Sequence, residues 1–513
     1  MAEARRPPRR APARSAQRPA ERARRGDPVR LAAYTVMRAV AEGAYANLEL
    51  PKVLRSRGID GRDAAFATEL TYGATRMRGF YDAVVAVAAK RAADSIDPPV
   101  LDTLRLGVHQ LLGMRVATHA AVDETVALAR QVNGIGASGF VNAVLRRVAE
   151  RDRAAWLDAV SPAGTDPVAA LAVRSSHPEW VVKALRAALL GHGTATAATV
   201  DAELVALLDA DNRPAHVTLA ARPGLASVDD LLGDGAEPAP LARTAVLLDR
   251  GDPGAFPAVR DGRAAVQDEG SQLVALALAA ATVDTVDTVD TVDTANTANT
   301  VDTGPGPERW LDLCAGPGGK AGLLAGLAVE RGADLVANEI SHHRANLVRS
   351  TLSAAVAAGR RGQVVVRESD GREIGEDEPG AYDRVLVDAP CTGLGALRRR
   401  PEARWRRDPS DVPALAALQR DLLAGAIDAT KPGGVIGYAT CSPHLSETKF
   451  VVSDVVKKRS DVEIVDATGL FVDRGGRAID GVGVGPFVQL WPHRHETDGM
   501  FFALLRRRAT PSS

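Results

Sequence analysis

The sequence predicts an α/β protein: a mostly parallel sheet with helices on both faces, preceded by an all-helical domain and a small α+β linker subdomain. Three observations carry the prediction. From Arg309 onward, short apolar runs alternate with helical stretches. From Asp27 to Asp152 the apolar residues recur at helical spacing without that alternation. Between them, at 153–265, helical and strand-like segments mix and are broken by turn signals. At 513 residues, 46% apolar and 25% charged, the chain has a globular composition and room for about three folding units.

Residues 1–26 form a basic tail. Nine arginines against Glu3 and Glu21 give it +7, so the rest of a chain of net charge -1 carries -8. Attraction to a nucleic acid would therefore come from local patches and this tail rather than from overall charge. Its repeated prolines argue against the amphipathic helix of a transit peptide, and it is expected to be disordered. In the helical domain, 27–152, the runs Leu31, Tyr34, Val36, Ala39, Val40 and Leu101, Leu104, Val108, Leu111, Leu112 mark two helices. In the linker, 153–265, Trp180 to Leu190 reads as helix, Ala215 to Ala221 as strand and Asp252-Pro253-Gly254 as turn.

The last domain, 266–508, opens with a helical segment, QDEGSQLVALALAAA, then a loop at 282–307 built on a Thr-Val-Asp repeat that cannot supply a packed core. RWLDLC, DLVANE, QVVVRESD, DRVLVDAP, GGVIGYATC and FVQLWP follow as strands. Residues 489–506 are expected to form terminal strands, and 509–513 a short tail. No stretch approaches the ~20 apolar residues of a membrane span, so no membrane partner is expected. The three cysteines, Cys314, Cys391 and Cys441, are too few for a disulfide framework and lack zinc spacing. A reducing, cytoplasmic setting and no metal are the expectations, and His493 and His495 lack a third ligand-like neighbour.

In such sheets ligands sit at the carboxyl ends of the strands, where the informative residues fall. The turn Cys314, Ala315, Gly316, Pro317, Gly318, Gly319, Lys320 follows a strand and opens a helix, letting backbone approach a ligand closely. Gly316, Gly318 and Ala321 satisfy G-x-G-x-x-A, with Glu339 about 20 residues on, as a dinucleotide site requires. A P-loop is disfavoured, because Ala321 stands where Ser or Thr is needed. A nucleoside-containing cofactor is indicated, its identity open. Glu339 could accept from ribose hydroxyls or merely cap a helix, and Asp370 could face an adenine or serve as a turn aspartate.

Asp388-Ala389-Pro390-Cys391 and Thr440-Cys441-Ser442 each place a cysteine at a strand end beside the cofactor turn. One free cysteine is usually a small buried hydrophobe. Two in these positions, with Asp388, point to a reactive pair, and the Cys314 side chain is left to core packing. Arg398, Arg399, Arg400, Arg404, Trp405, Arg406 and Arg407 follow Cys391 directly, offering phosphate-neutralising charge and a stacking ring, or simply a solvated face.

DLCAGPGGK, LVDAPCTGLGALRRRPEARWRR and GYATCSPHLSET resemble the motifs of the RNA cytosine-C5 methyltransferases of the Sun/Nop2 superfamily, over roughly residues 255–508. Residues 27–152 resemble the NusB-like RNA-binding domain of its small-subunit rRNA branch, the RsmB or Fmu/Sun type. The resemblance implies a Rossmann-like methyltransferase domain, S-adenosylmethionine as cofactor and a cytosine of 16S rRNA as substrate, in a monomer. It implies Cys441 as nucleophile on cytosine C6, Asp388 at N3 and Cys391 in product release. It assigns the cofactor to Cys314–Lys320, Glu339, Asp370 and Asp388. Gly316 stands where the family commonly has alanine, Glu339 where it has aspartate, and the threonine-rich insert is unusual. Three rivals remain: a nicotinamide-dependent oxidoreductase, a non-catalytic RNA-binding factor, and the same chemistry on tRNA or another rRNA.

Overall fold

The computed structural model describes residues 26–249, 251–284, 307–358 and 363–509. The basic tail and nearly all of the Thr-Val-Asp repeat lie outside them. Two compact units divide between Ala163 and Gly164.

The first unit is all helical: α1 Pro28–Ala41, α2 Ala46–Arg57, α3 Gly61–Arg76, α4 Arg78–Ala89, α5 Pro98–Leu112, α6 Thr118–Val132, α7 Ile135–Val148 and α8 Arg153–Val160. Asp27 starts α1 by accepting from the Val29 and Arg30 N–H groups, with Pro28 at the first helical position. Phe80, Tyr81, Leu104, Val108, Val141 and Leu145 form the main core. A buried ion cluster crosses it: Arg105 pairs with Asp82 at 2.6 Å and Asp102 at 2.7 Å, and Arg38 reaches Asp102 at 2.8 Å.

The second unit begins with α9 Pro167–Ser175, α10 Glu179–Gly191 and α11 Val200–Asp211. A small antiparallel sheet of order β2-β3-β1-β4 follows, from β1 Val217–Ala221, β2 Ala236–Pro238, β3 Ala245–Leu248 and β4 Ala264–Val266, with α12 Pro257–Arg260 before its last strand. α13, Glu269–Ala280, leads into the large sheet.

That sheet is built from β5 Arg309–Asp312, α14 Gly319–Arg331, β6 Asp334–Asn338, α15 His342–Ala358, β7 Val364–Arg367, α16 Ile374–Asp377, β8 Tyr382–Asp388, α17 Ala403–Arg406, α18 Asp411–Ala429, β9 Thr430–Thr440, α19 Lys449–Val456, β10 Val462–Val465, β11 Val488–Gln489, α20 Pro492–His495 and β12 Phe501–Arg507. Its order is β7-β6-β5-β8-β9-β12-β10, with β11 beside β12. β5 to β9 are parallel, and β12 runs antiparallel to β9 and β10. Neighbouring residues face opposite cores: Trp310 and Phe502 lie with Leu278, Leu323 and Leu352 of α13–α15, Leu311 and Phe501 with Leu423 and Val451 of α18 and α19. Burial on both faces explains the continuous apolar strand runs.

The C-terminal expectation is corrected. FVQLWP supplies only the two-residue β11, because α20 begins at Pro492, and residues 489–506 hold one long strand rather than several. β10, which sequence reading missed, forms the sheet edge beyond β12. Among the described residues no helix is long and apolar enough to cross a membrane.

Candidate active site

The chain order reverses between β5 and β8, making a switch point whose carboxyl-end crevice is the expected ligand site. The glycine turn leaves β5 there and enters α14. Gly318 has φ +115°, and a Cβ on it would lie 2.8 Å from Thr351, so no other residue fits without displacement. Glu339, at the end of β6, is buried. Its Oε2 accepts from the Gly316 N–H at 3.2 Å, and its Oε1 from the Ser341 N–H at 2.8 Å and Arg344 at 2.7 Å. Asn338 ties the neighbouring strand ends, donating to the Leu313 and Ser369 carbonyls at 3.1 Å each.

Asp370 sits beyond β7 and pairs with Arg372, which holds its carboxyl below the usual range. Asp312, at the end of β5, is fully buried; burial, then the neighbouring Asp388, pushes its carboxyl up to about 8, against Lys320. Its Oδ1 has no hydrogen-bond partner among the described residues. A close-approach backbone turn, a buried carboxylate and an unsatisfied acid oxygen form a donor and acceptor set that fits an adenosyl group carrying ribose hydroxyls and an ammonium.

β8 and β9 are parallel neighbours, with Asp388 in register with Ala439. Their ends bring the two cysteines together, Cys391 Sγ lying 3.4 Å from Cys441 Sγ. The pair is polarised. The Cys391 thiol donating to it lowers Cys441, helped by Lys320 and Arg400 against burial and Asp388. The bond to Cys441, burial, Glu447 and Asp388 all hold Cys391 well up. The surroundings thus favour negative charge on Cys441 over Cys391. Lys320 reaches across from the cofactor turn, its Nζ 2.9 Å from Asp388 Oδ2; burial opposes the ammonium, but Asp388, with Cys441 and Asp312, raises Lys320. Cys314 is held protonated by burial and by Asp312 and packs against the α18 core, away from the pair's hydrogen bond.

The arginine run does not form one surface. Arg404 is fully buried and donates to the Ser176 and Asp211 carbonyls and to Asn212 Oδ1. Arg398 is buried against the Glu496 carbonyl, and Arg399 pairs with Asp268 at 2.6 Å and Asp498 at 3.2 Å. Burial corrects the expectation that Arg398 and Arg404 are RNA ligands, since both serve as interior struts, whereas Arg399 stays partly exposed beside its two carboxylates. Arg400 and Arg407 are exposed and Trp405 is half-buried. Sequence reading missed Asp312 and the buried Thr392, Ser442 and Glu447 around the cysteines. Asp312 lay inside a quoted strand, and the other three gain meaning only from partners 50 and 55 residues away.

A family model described as 16S rRNA methyltransferase RsmB/F matches residues 303–506, and one described as NusB family matches residues 27–150. Mycobacterium tuberculosis Rv1407 is 51% identical over 488 residues, 94% of this chain and 97% of that protein. Ribosomal RNA small subunit methyltransferase B of Pseudomonas putida is 32% identical over 434 residues, 82% of this chain and 87% of that one. The crystal structure of PH0851 shares the fold, with TM-score 0.73 and 20% identity over 94% of this chain and 99% of that one. Sheet order, glycine turn and matched models define an S-adenosylmethionine-dependent RNA methyltransferase with a Rossmann-like catalytic domain behind a NusB-type helical domain. The chain belongs to the RsmB/F family of rRNA methyltransferases.

Proposed function

We propose that this enzyme methylates C5 of a cytosine in small-subunit rRNA, in the cytoplasm, through a covalent bond between Cys441 and C6. The observation that carries the reading is the polarised cysteine pair, 3.4 Å apart at the switch-point crevice and beside the Lys320–Asp388 ion pair. The names of the relatives support the rRNA substrate.

The 314–320 turn, Glu339, Asp370 and Asp388 would hold S-adenosylmethionine, which when bound would supply an electrophilic methyl group. The Cys441 thiolate adds to cytosine C6 and pushes the ring electrons toward C5, which takes the methyl group. Asp388 would hold the ring by sharing a proton with N3, and the Lys320 ammonium on its Oδ2 would offset the negative charge that develops on the ring. A water of the surrounding solvent takes the C5 proton, its electron pair re-forms the C5–C6 double bond, and Cys441 leaves as a thiolate with the Cys391 thiol placed to stabilise it by hydrogen bonding. The exposed Arg400 and Arg407 are placed for phosphate contact.

The test incubates wild type, Cys441→Ala and Cys391→Ala with labelled cofactor and unmodified small-subunit rRNA, reading methyl transfer and denaturation-resistant adduct. Methylation by wild type, neither signal from Cys441→Ala and adduct accumulation by Cys391→Ala are expected. Full activity of Cys441→Ala would overturn the nucleophile. Transfer only to tRNA or large-subunit rRNA would overturn the substrate.

A further inference from the structure

Glu447 lies in the single helical turn Leu445–Glu447 that follows the Cys441 loop, and none of its surface is exposed. Oε1 accepts from the Thr392 N–H at 2.8 Å and Gln419 Nε2 at 3.3 Å; Oε2 accepts from Thr392 Oγ1 at 2.5 Å and Ser442 Oγ at 2.7 Å. All four donors are neutral, and together they satisfy both oxygens of this buried acid, with His444 close by. The partners are not arbitrary. Thr392 follows Cys391, Ser442 follows Cys441, and Gln419 also donates to the carbonyl of Pro390, the residue before Cys391, at 2.8 Å.

The Thr392 and Ser442 hydroxyls are 3.0 Å apart and both lie within hydrogen-bond distance of Glu447 Oε2. A group that can accept from both suits this arrangement. Glutamine of the same shape would present an amide donor to part of it. Nearby, Gly395 N–H donates to the Cys441 carbonyl at 2.9 Å, a second tie between the same two loops.

We propose that Glu447 is a positioning residue, tying the Thr392 and Ser442 loops together so that the Cys391 thiol is held against the Cys441 sulfur; this rests on the reading of Cys441 as nucleophile. The charges support it. Glu447 lies on the side of Cys391, and Lys320 and Arg400 act on Cys441. Asp388 bears on both thiols, and Tyr438 and Cys314 titrate well above their ordinary values because they are buried.

The test uses the full-length protein. Glu447→Gln is expected to lower kcat for methyl transfer about a hundredfold, the scale of a 1 Å misplacement, with KM for S-adenosylmethionine changed by less than about twofold. The pH midpoint of iodoacetamide alkylation at Cys441, read by mass spectrometry of its peptide, should move up as the Cys391 hydrogen bond is lost. A glutamate that only supported folding would lower the melting temperature and leave that midpoint in place. Ser442→Ala removes one donor and should shift both readouts the same way, with kcat down about tenfold. It decides alone if Glu447→Gln does not fold. Wild-type kcat and midpoint in the folded variants overturn the proposal. The midpoint is measured without RNA, so it tests the brace separately from Cys441→Ala, whose retained methylation would instead overturn the nucleophile.

Discussion

Gly316 and Glu339 share a space that one side chain fills. A Cβ on Gly316 would lie 2.3 Å from Glu339 Oε2 and 3.0 Å from its Cδ. Gly316→Ala should therefore drive the carboxylate off the Gly316 N–H and weaken S-adenosylmethionine binding about tenfold, ~1.4 kcal/mol, in calorimetric titration. Adding Glu339→Asp, one methylene shorter, should recover most of the loss, because contacting residues are non-additive. Additive losses would show that the two act independently. Asp312 gives a pH prediction. Its folded pKa, about 8, lies above the ordinary carboxyl value, so its stabilising effect is full below about pH 4 and is lost as pH rises to about 8. Asp312→Asn should flatten the urea midpoint across that window and exceed wild type at its upper end; parallel curves would refute the assignment. At this scale, sequence exposed the residues whose type is chemically telling, the cysteines and the glycine turn. Asp312 and Glu447 were silent, because an acid's environment is not written beside it.

Helix α14 is docked by its small residues. Arg222, buried at the end of β1, donates to the Thr351 carbonyl at 2.7 Å, and burial lowers its guanidinium to about 10. A Cβ on Gly322 would meet the Arg222 guanidinium at 2.6 Å, whereas one on Gly326 would meet the Pro223 backbone oxygen at 2.8 Å. A side chain can swing aside and a backbone cannot. Gly326→Ala is therefore expected to cost about 1–3 kcal/mol in urea unfolding and Gly322→Ala less; the reverse order would contradict the docking. The parallel strands were legible because burial on both faces writes uninterrupted apolar runs. β10 was not, since a short edge strand is only half-buried. The arginine run misled for a related reason. A guanidinium looks alike in sequence whether it meets phosphate or, as Arg404 does, three acceptors of the α9–α11 region.

Over the whole chain, alternation revealed the layers, while the order β7-β6-β5-β8-β9-β12-β10 was not written in any segment, because crossovers set it. Charge is also a property of the whole. The first 26 residues carry +7 against -8 elsewhere, so deleting them should weaken RNA binding mainly at low salt and reduce the slope of log affinity against log salt. An unchanged slope in filter binding would remove that role. The cysteine pair has a broader consequence. Cys391 and Cys441 stand 50 residues apart in the chain and meet only when β8 and β9 lie side by side. The nascent polypeptide thus carries three ordinary thiols, and the enzyme arms itself at the moment its sheet closes. Alkylation on the acid side of the ordinary thiol range should mark folded molecules faster than unfolded ones, making this thiol a built-in certificate of correct folding.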